Sequence, residues 1–317
     1  MKNTQQHIRQ TKAGKTLLNL LWVLPLLLIA TVFILPPLPS SPMKRDSFWA
    51  NKVNSVDCFD IIYTGDSRVY RGIDPKFVEE LTGFKGFNFA FSSADVDSLL
   101  LHQAASRLSA KGRRILVIGV SVNSFLSRTP KESNAHLKSL MQIPSKDRWI
   151  RTHWYPNLSV FDARAVSDLY KYLKREHYDE QYHLTTGFAA SDKTPSDTTE
   201  ALPLYKNEFS QYSFSESKLK AFDRYINELK AQGIQIVLVR MPVTHAMQVL
   251  EDSKGGLLKQ YLYDAEYGDQ HVFDGWGTYT TFDGSHLNSE SAKRFSKDLG
   301  VYLNGVFKED IRLHLNK

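Results

Sequence analysis

The run Ile115-Leu116-Val117-Ile118 is apolar at every position, and Ile234 to Val239 is nearly so. A strand without polar alternation needs cover on both faces, as in a parallel sheet flanked by helices. The segments around these runs have helical spacing. Val96, Leu100, Ala104 and Leu108 mark one helix face, stopped at Gly112. Leu219, Phe222, Ile226 and Leu229 mark another, followed by Gly233. Phe59 to Thr64 and Phe87 to Phe91 read as further strands, and Val272-Phe273 as a short last one. Asp74-Pro75 fits a helix start and Gly83 its end. Ser289 to Phe307 forms the last helix, with Ala292, Phe295, Leu299 and Leu303 inward. Strands alternating with helices predict an α/β fold of three layers, α/β/α, around a mainly parallel central sheet.

The alternation loosens between about 127 and 213. A compact α/β domain rarely needs so long a connection, so this stretch reads as a helical insertion or cap, or else as a variable surface excursion. Trp149, His153, Trp154 and Tyr155 within it suggest a small core of its own or a platform for sugar rings.

Leu17 to Leu35 is broken only by Asn19, Pro25 and Thr31, and is long enough to cross a bilayer. Lys2, Arg9, Lys12 and Lys15 precede it, which places the N-terminus in the cytoplasm. The reading is a cytoplasmic segment over 1–15 and an uncleaved transmembrane signal anchor over 16–38. A linker over 39–54 and an extracytoplasmic domain over 55–317 follow. A cleaved signal peptide is the alternative. The net charge of +6 is not gathered into one long run, which argues against nucleic acid as a partner. Cys58 is the only cysteine, so an intrachain disulfide is excluded; its expected place is a buried strand start. Neither a zinc-ligand pattern nor a phosphate-binding Gly-rich loop is present.

The first strand runs into Gly65-Asp66-Ser67-Arg68. A serine at the tip of a strand-to-helix turn is exposed and rigidly held, but it is a poor nucleophile without a base in reach. Asp283-Gly284-Ser285-His286 lies just before the last helix. His286 is a candidate base and Asp283 its orienting carboxylate. In a doubly wound sheet, loops at the carboxyl ends of the strands share one edge, which would make Ser67 and His286 neighbours.

Gly-Asp-Ser after the first strand, paired with Asp-x-x-His before the last helix, resembles the SGNH/GDSL hydrolase superfamily from about Val53 onward. The layout is similar to its membrane-anchored branch, which acts on acyl groups of cell-envelope polymers. The resemblance implies a flavodoxin-like sheet, Ser67, His286 and Asp283 as catalytic residues, and no metal or cofactor. It also implies an oxyanion hole built from the Ser67 N–H, a glycine after the second strand and an asparagine after the third. Here Ser93 stands at the glycine position, and Asn123, in Gly119-Val120-Ser121-Val122-Asn123-Ser124, is the candidate for the amide. Arg68, Arg240, His245 and Trp276 are candidate substrate contacts, Arg68 with the alternative of an ion pair to Asp66.

The function that follows is a serine-dependent ester hydrolase or O-acyltransferase on a cell-surface polysaccharide. An integral-membrane acyltransferase is the partner implied by the resemblance. The departures at Ser93 and Asn123 leave a non-catalytic glycan-binding or assembly subunit as the alternative. A lipase would need an apolar tunnel beside Ser67.

Overall fold

The computed structural model describes residues 22–27, 29–30, 39–55, 58–162, 167, 170, 173–174, 180–193, 196–264, 271–275 and 277–307. Most of the proposed span over 16–38, and Trp276, lie outside these residues. Among the described residues no helix is long and apolar enough to cross a membrane.

Five strands form the central sheet: β1 (Ile61–Thr64), β2 (Gly86–Asn88), β3 (Ile115–Gly119), β6 (Gln235–Val239) and β7 (His271–Phe273). Their order is β2-β1-β3-β6-β7 and every pairing is parallel. This is the flavodoxin-like order, which reverses direction between β1 and β3. The remaining strands, β4 (Glu180–His183) and β5 (Phe188–Ser191), form a separate antiparallel pair inside the insertion.

Side chains alternate between the two faces of each strand, and the neighbours divide accordingly. Ile62, Leu116, Ile118, Ile236 and Leu238 pack against one layer of helices. That layer comprises α4 (Ser98–Ala105), α9 (Glu216–Ala231) and α11 (Gly256–Tyr263), through residues such as Leu100, Phe222, Ile226 and Tyr261. Ile61, Tyr63, Ile115, Val117, Val237 and Val239 face the other layer. There α2 (Ser67–Gly72), α3 (Pro75–Thr82) and α12 (Ser289–Val306) bury Val69, Val78, Phe295, Leu299 and Leu303. The three-layer α/β/α expectation therefore holds. The boundaries agree closely: Asp74 caps α3 by accepting from the Lys76 N–H, and Gly83 closes it in the left-handed region.

Two expectations are corrected. Residues 39–54 are not a linker: Pro42–Asn54 is a 13-residue helix, α1, capped by Ser41, with Phe48, Ala50 and Lys52 fully buried. The apolar and aliphatic stems on one side of this helix outweigh its charged composition. Lys52 ends among the rings of Phe48, Trp49, Tyr70 and Phe91 and donates to the Ala90 carbonyl at 2.8 Å. Cys58 is exposed rather than buried, because it lies before the sheet begins.

The insertion supplies α5 (Ala135–Gln142), α6 (Ser145–His153), α7 (Tyr155–Leu158), the β4–β5 pair and α8 (Ala201–Gln211). Trp149 and Trp154 are about half exposed, at 51% and 47%, so they form no internal core. Tyr182, Phe188 and Ala189 instead join the α12 side of the main core. The helix α10 (His245–Asp252) lies between β6 and α11 in the chain, with Leu250 against the side of the core that α4, α9 and α11 cover.

Candidate active site

The turn after β1 is shaped by backbone proximity. Gly65 has φ +143°, and a Cβ there would meet the Gly119 carbonyl oxygen at 2.9 Å. The absence of a side chain lets β1 and β3 stay close while the chain turns directly into α2. Asp66 caps α2 through the Arg68 N–H at 3.0 Å, and its other oxygen accepts from Ser121 Oγ at 3.0 Å. The cap and the serine therefore lock Ser67 at the helix start, at the strand-order reversal.

The second loop folds on its own carboxylate. Asp283 Oδ1 accepts from the backbone N–H groups of Ser285 (2.9 Å) and His286 (2.8 Å). Such an Asx turn tolerates the left-handed Gly284, at φ +94°. Asp283 Oδ2 then lies 2.7 Å from His286 Nδ1. On the other side of the ring, His286 Nε2 lies 2.8 Å from Ser67 Oγ. An ionised carboxylate only accepts, so Nδ1 carries the proton and Nε2 is the acceptor for the Ser67 hydroxyl. Burial opposes ionisation of Asp283, but the hydrogen bond and charge of His286, with the two backbone donors, outweigh it. They hold the carboxyl below its usual range.

The loop is clamped from both sides. Ala201 N donates to the Asp283 carbonyl at 2.9 Å and Asp197 N to the Phe282 carbonyl at 3.0 Å. Thr244 N donates to the Gly284 carbonyl at 3.1 Å. The insertion is thus part of the site's frame.

A cavity of about 390 Å³ opens over Ser67 and His286. Ser93 and Asn123 both line it, together with Tyr70, Arg71, Ser92 and Glu208. Ser93 adopts φ +50°, a conformation that suits glycine, the residue that the resemblance leads one to expect there. Leu204 is the one aliphatic residue of the lining; the others carry polar groups, with rings and carbon stems making up much of the wall between them.

Arg68, Arg240 and His245 are elsewhere. Arg68 is 2% exposed and points away from the cavity. Its Nη1 lies 2.6 Å from Glu251, not from Asp66, and its Nε donates to Ser285 Oγ at 2.9 Å. Ser285 Oγ donates in turn to the Tyr205 hydroxyl at 3.0 Å. Arg68 thus joins α2, the His286 loop, α8 and α10. Arg240 turns to Asp252 at 2.8 Å. His245 is exposed at the start of α10 and does not line the cavity. Trp276 lies outside the described residues.

Arg71 was not among the expected contacts. It borders the cavity from one turn beyond Ser67, held by Glu180 at 2.6 Å and by Ser191. Its i+4 spacing on a helix would have placed it on the Ser67 side. Tyr205 and Glu208 come from the insertion and carried no such signal. Among the described residues no cluster of His, Cys, Asp and Glu could hold a metal ion.

No protein-family model matches the chain, and no curated protein sequence matches it. Among solved structures it is similar to a protein assigned to the G-D-S-L lipolytic family from Desulfitobacterium hafniense DCB-2. Identity is 10%, with 76% of this chain and 98% of that one covered and a TM-score of 0.37. It is also similar to a family two carbohydrate esterase from Clostridium thermocellum in complex with cellohexaose, at 11% identity, 78% and 64% coverage and TM-score 0.37. A carbohydrate acetylesterase family member from Sinorhizobium meliloti gives 12%, 77% and 97%, and 0.33. Likenesses this low carry no inference about chemistry.

Proposed function

We propose that the chain is a serine-dependent acyl-ester enzyme of the SGNH kind, acting on O-acyl groups of a cell-surface polysaccharide. The observation that carries this reading is the hydrogen-bonded line Ser67 Oγ, His286 Nε2, His286 Nδ1 and Asp283 Oδ2, with steps of 2.8 and 2.7 Å. Nucleophile, base and orienting carboxylate are in hydrogen-bond order.

In this reading Ser67 Oγ attacks the acyl carbonyl as its proton passes to His286 Nε2. The imidazolium is stabilised by Asp283. The carbonyl oxygen becomes an oxyanion, for which the Ser67 and Ser93 N–H groups and Asn123 Nδ2 are the donors. Collapse breaks the ester C–O bond, and His286 returns the proton to the leaving sugar oxygen. The Ser67 acyl ester then yields to water, or to a second hydroxyl in a transferase. A cavity lined by serine, asparagine, arginine and glutamate side chains, with Leu204 as its one aliphatic residue, suits a hydroxylated polymer with a short acyl group better than a long lipid chain.

The apolar run Leu17–Leu35, with basic residues before it, supports an anchored domain on the outer side of the cytoplasmic membrane. The described part of that run is helical, with Trp22 70% and Leu26 64% exposed, as a lipid-facing helix would be. An integral-membrane acyltransferase is the partner for such an arrangement.

The test is turnover of p-nitrophenyl acetate, and acetate release from an acetylated polysaccharide, by the full chain in detergent. Ser67→Ala and His286→Ala should each abolish both activities. Equal rates in all three proteins would remove the enzyme reading.

A further inference from the structure

Asn123 sits on the short 3₁₀ turn Val122–Phe125 after β3, where it lines the catalytic cavity. Its side-chain oxygen accepts from Arg128 Nη2 at 2.7 Å, and its main-chain carbonyl accepts from Nη1 at 2.8 Å. An asparagine amide has one accepting and one donating end, whereas a guanidinium only donates. The oxygen therefore faces Arg128, and the two Nδ2 hydrogens are turned away from it. We infer that Arg128 is a positioning residue for acyl transfer, fixing the Asn123 amide so that its Nδ2 serves the oxyanion. This inference rests on the serine-enzyme reading above.

Arg128 is itself rigidly held. Its side chain is 7% exposed, with Nη1 2.9 Å from Asp95 Oδ1 and Nη2 2.6 Å from Glu208 Oε2. Asp95 also pairs with Lys218 at 2.7 Å. Two cations face two carboxylates, so little net positive potential is left for the cavity. What Arg128 supplies is direction, through a planar fork that a lysine ammonium cannot reproduce. The backbone beneath it is fixed as well: Ser127 N donates to the Ser213 carbonyl at 2.9 Å, and Leu126 bridges to Phe214. Glu208 belongs to α8, so one guanidinium couples the oxyanion donor to the helix that walls the cavity.

The experiment compares wild type, Arg128→Lys, Asn123→Ala and the double variant, with Ser67→Ala as control, on p-nitrophenyl acetate with the full chain in detergent. Arg128→Lys should lower kcat by at least about tenfold, approaching the roughly 10²–10³-fold loss of one oxyanion donor. KM should stay within about twofold, since the lost interaction forms only in the transition state. The double variant should match Asn123→Ala alone. Wild-type kcat in Arg128→Lys, or additive losses in the double variant, would overturn the inference while leaving the triad standing. Activity surviving in Ser67→Ala would instead overturn the serine-enzyme reading.

A second measurement needs no Arg128 variant. In ¹⁵N-Asn-labelled wild type, the side-chain signal missing from Asn123→Ala should shift on forming a boronate adduct at Ser67. An unmoved signal would show that Nδ2 does not meet the adduct oxygen.

Discussion

His286 Nε2 lies 2.8 Å from Ser67 Oγ although 219 positions separate the two residues. Neither loop reaches the other by local folding. Their meeting depends on the β1 and β3 backbones being close enough for α2 to start where it does, and that closeness depends on Gly65. An added Cβ would meet Val69 Cγ2 at 2.8 Å and the Gly119 oxygen at 2.9 Å, at a φ that L-residues rarely adopt. Gly65→Ala should therefore cost roughly 2–5 kcal/mol from backbone strain and overpacking together. It should also slow fluorophosphonate labelling of Ser67 in whatever fraction stays folded. Thermal melting and labelling rates check both; an unchanged melt with full labelling would show that the close approach is not needed.

Asp283 gives a pH dependence with a defined sign. Its carboxyl is held below the usual range in the folded state, so the folded protein binds fewer protons here than the unfolded chain. That stabilisation is complete above the unfolded value of about 3.9 and is lost as pH falls through the lower folded value. The stability difference between wild type and Asp283→Asn, from urea midpoints, should be flat above about pH 5 and shrink below about pH 4. A difference that grows on acidification would contradict the assignment. At neutral pH the same variant should lose about 10⁴-fold in kcat, because an amide fixes the imidazole in the wrong tautomer.

The Arg68–Glu251 pair is a liability if either half is removed alone. Both side chains are almost fully buried, at 3% and 5% exposure. Burial alone would lower the Arg68 pKa, but Glu251, with Tyr205 and Asp66 adding to it, raises it, so the guanidinium is charged. Glu251→Ala should cost about 3–5 kcal/mol by leaving that charge uncompensated. Arg68→Met with Glu251→Leu should recover most of it, since two apolar side chains carry no desolvation penalty. Chemical denaturation of the three variants measures this. Equal losses in single and double variants would mean that the network through Ser285 and Tyr205, not the charge pair, is what counts.

What the sequence alone reveals of this fold depends on how locally each feature is encoded. The apolar runs give the parallel sheet because their covering helices lie adjacent in the chain. Asp283 and His286 were legible because an Asx turn is made within four residues. Arg68 was misplaced because the direction of a side chain on a six-residue helix depends on distant partners, here Glu251 and Ser285. Arg128 gave no signal: its importance comes from Asn123 and from Glu208, 80 positions away, meeting on one guanidinium. The sequence of α1 suggests a linker because prolines and charges dominate its start. Its buried side chains, including Lys52, are chosen by a surface that the local sequence does not reveal.

That helix carries the last prediction. Phe48 and Ala50 have no exposure, and Lys52 reaches the Ala90 carbonyl, three residues before Ser93. Removing α1 would uncover the core beside the segment that brings Ser93 to the cavity. Phe48 alone is a large buried side chain, worth roughly 3–5 kcal/mol on truncation to alanine, against a whole-domain stability of about 5–15 kcal/mol. A fragment starting at Ser41 should fold and melt cooperatively, whereas one starting at Ser55 should not. Lys52→Met separates packing from charge. Burial lowers the Lys52 pKa well below its ordinary value of about 10.4, so between the lowered folded value and that ordinary one the unfolded chain binds the extra proton. Wild-type stability relative to Lys52→Met should therefore rise with pH across that window. A difference that falls with pH would mean that the surrounding rings hold the ammonium more firmly than water does.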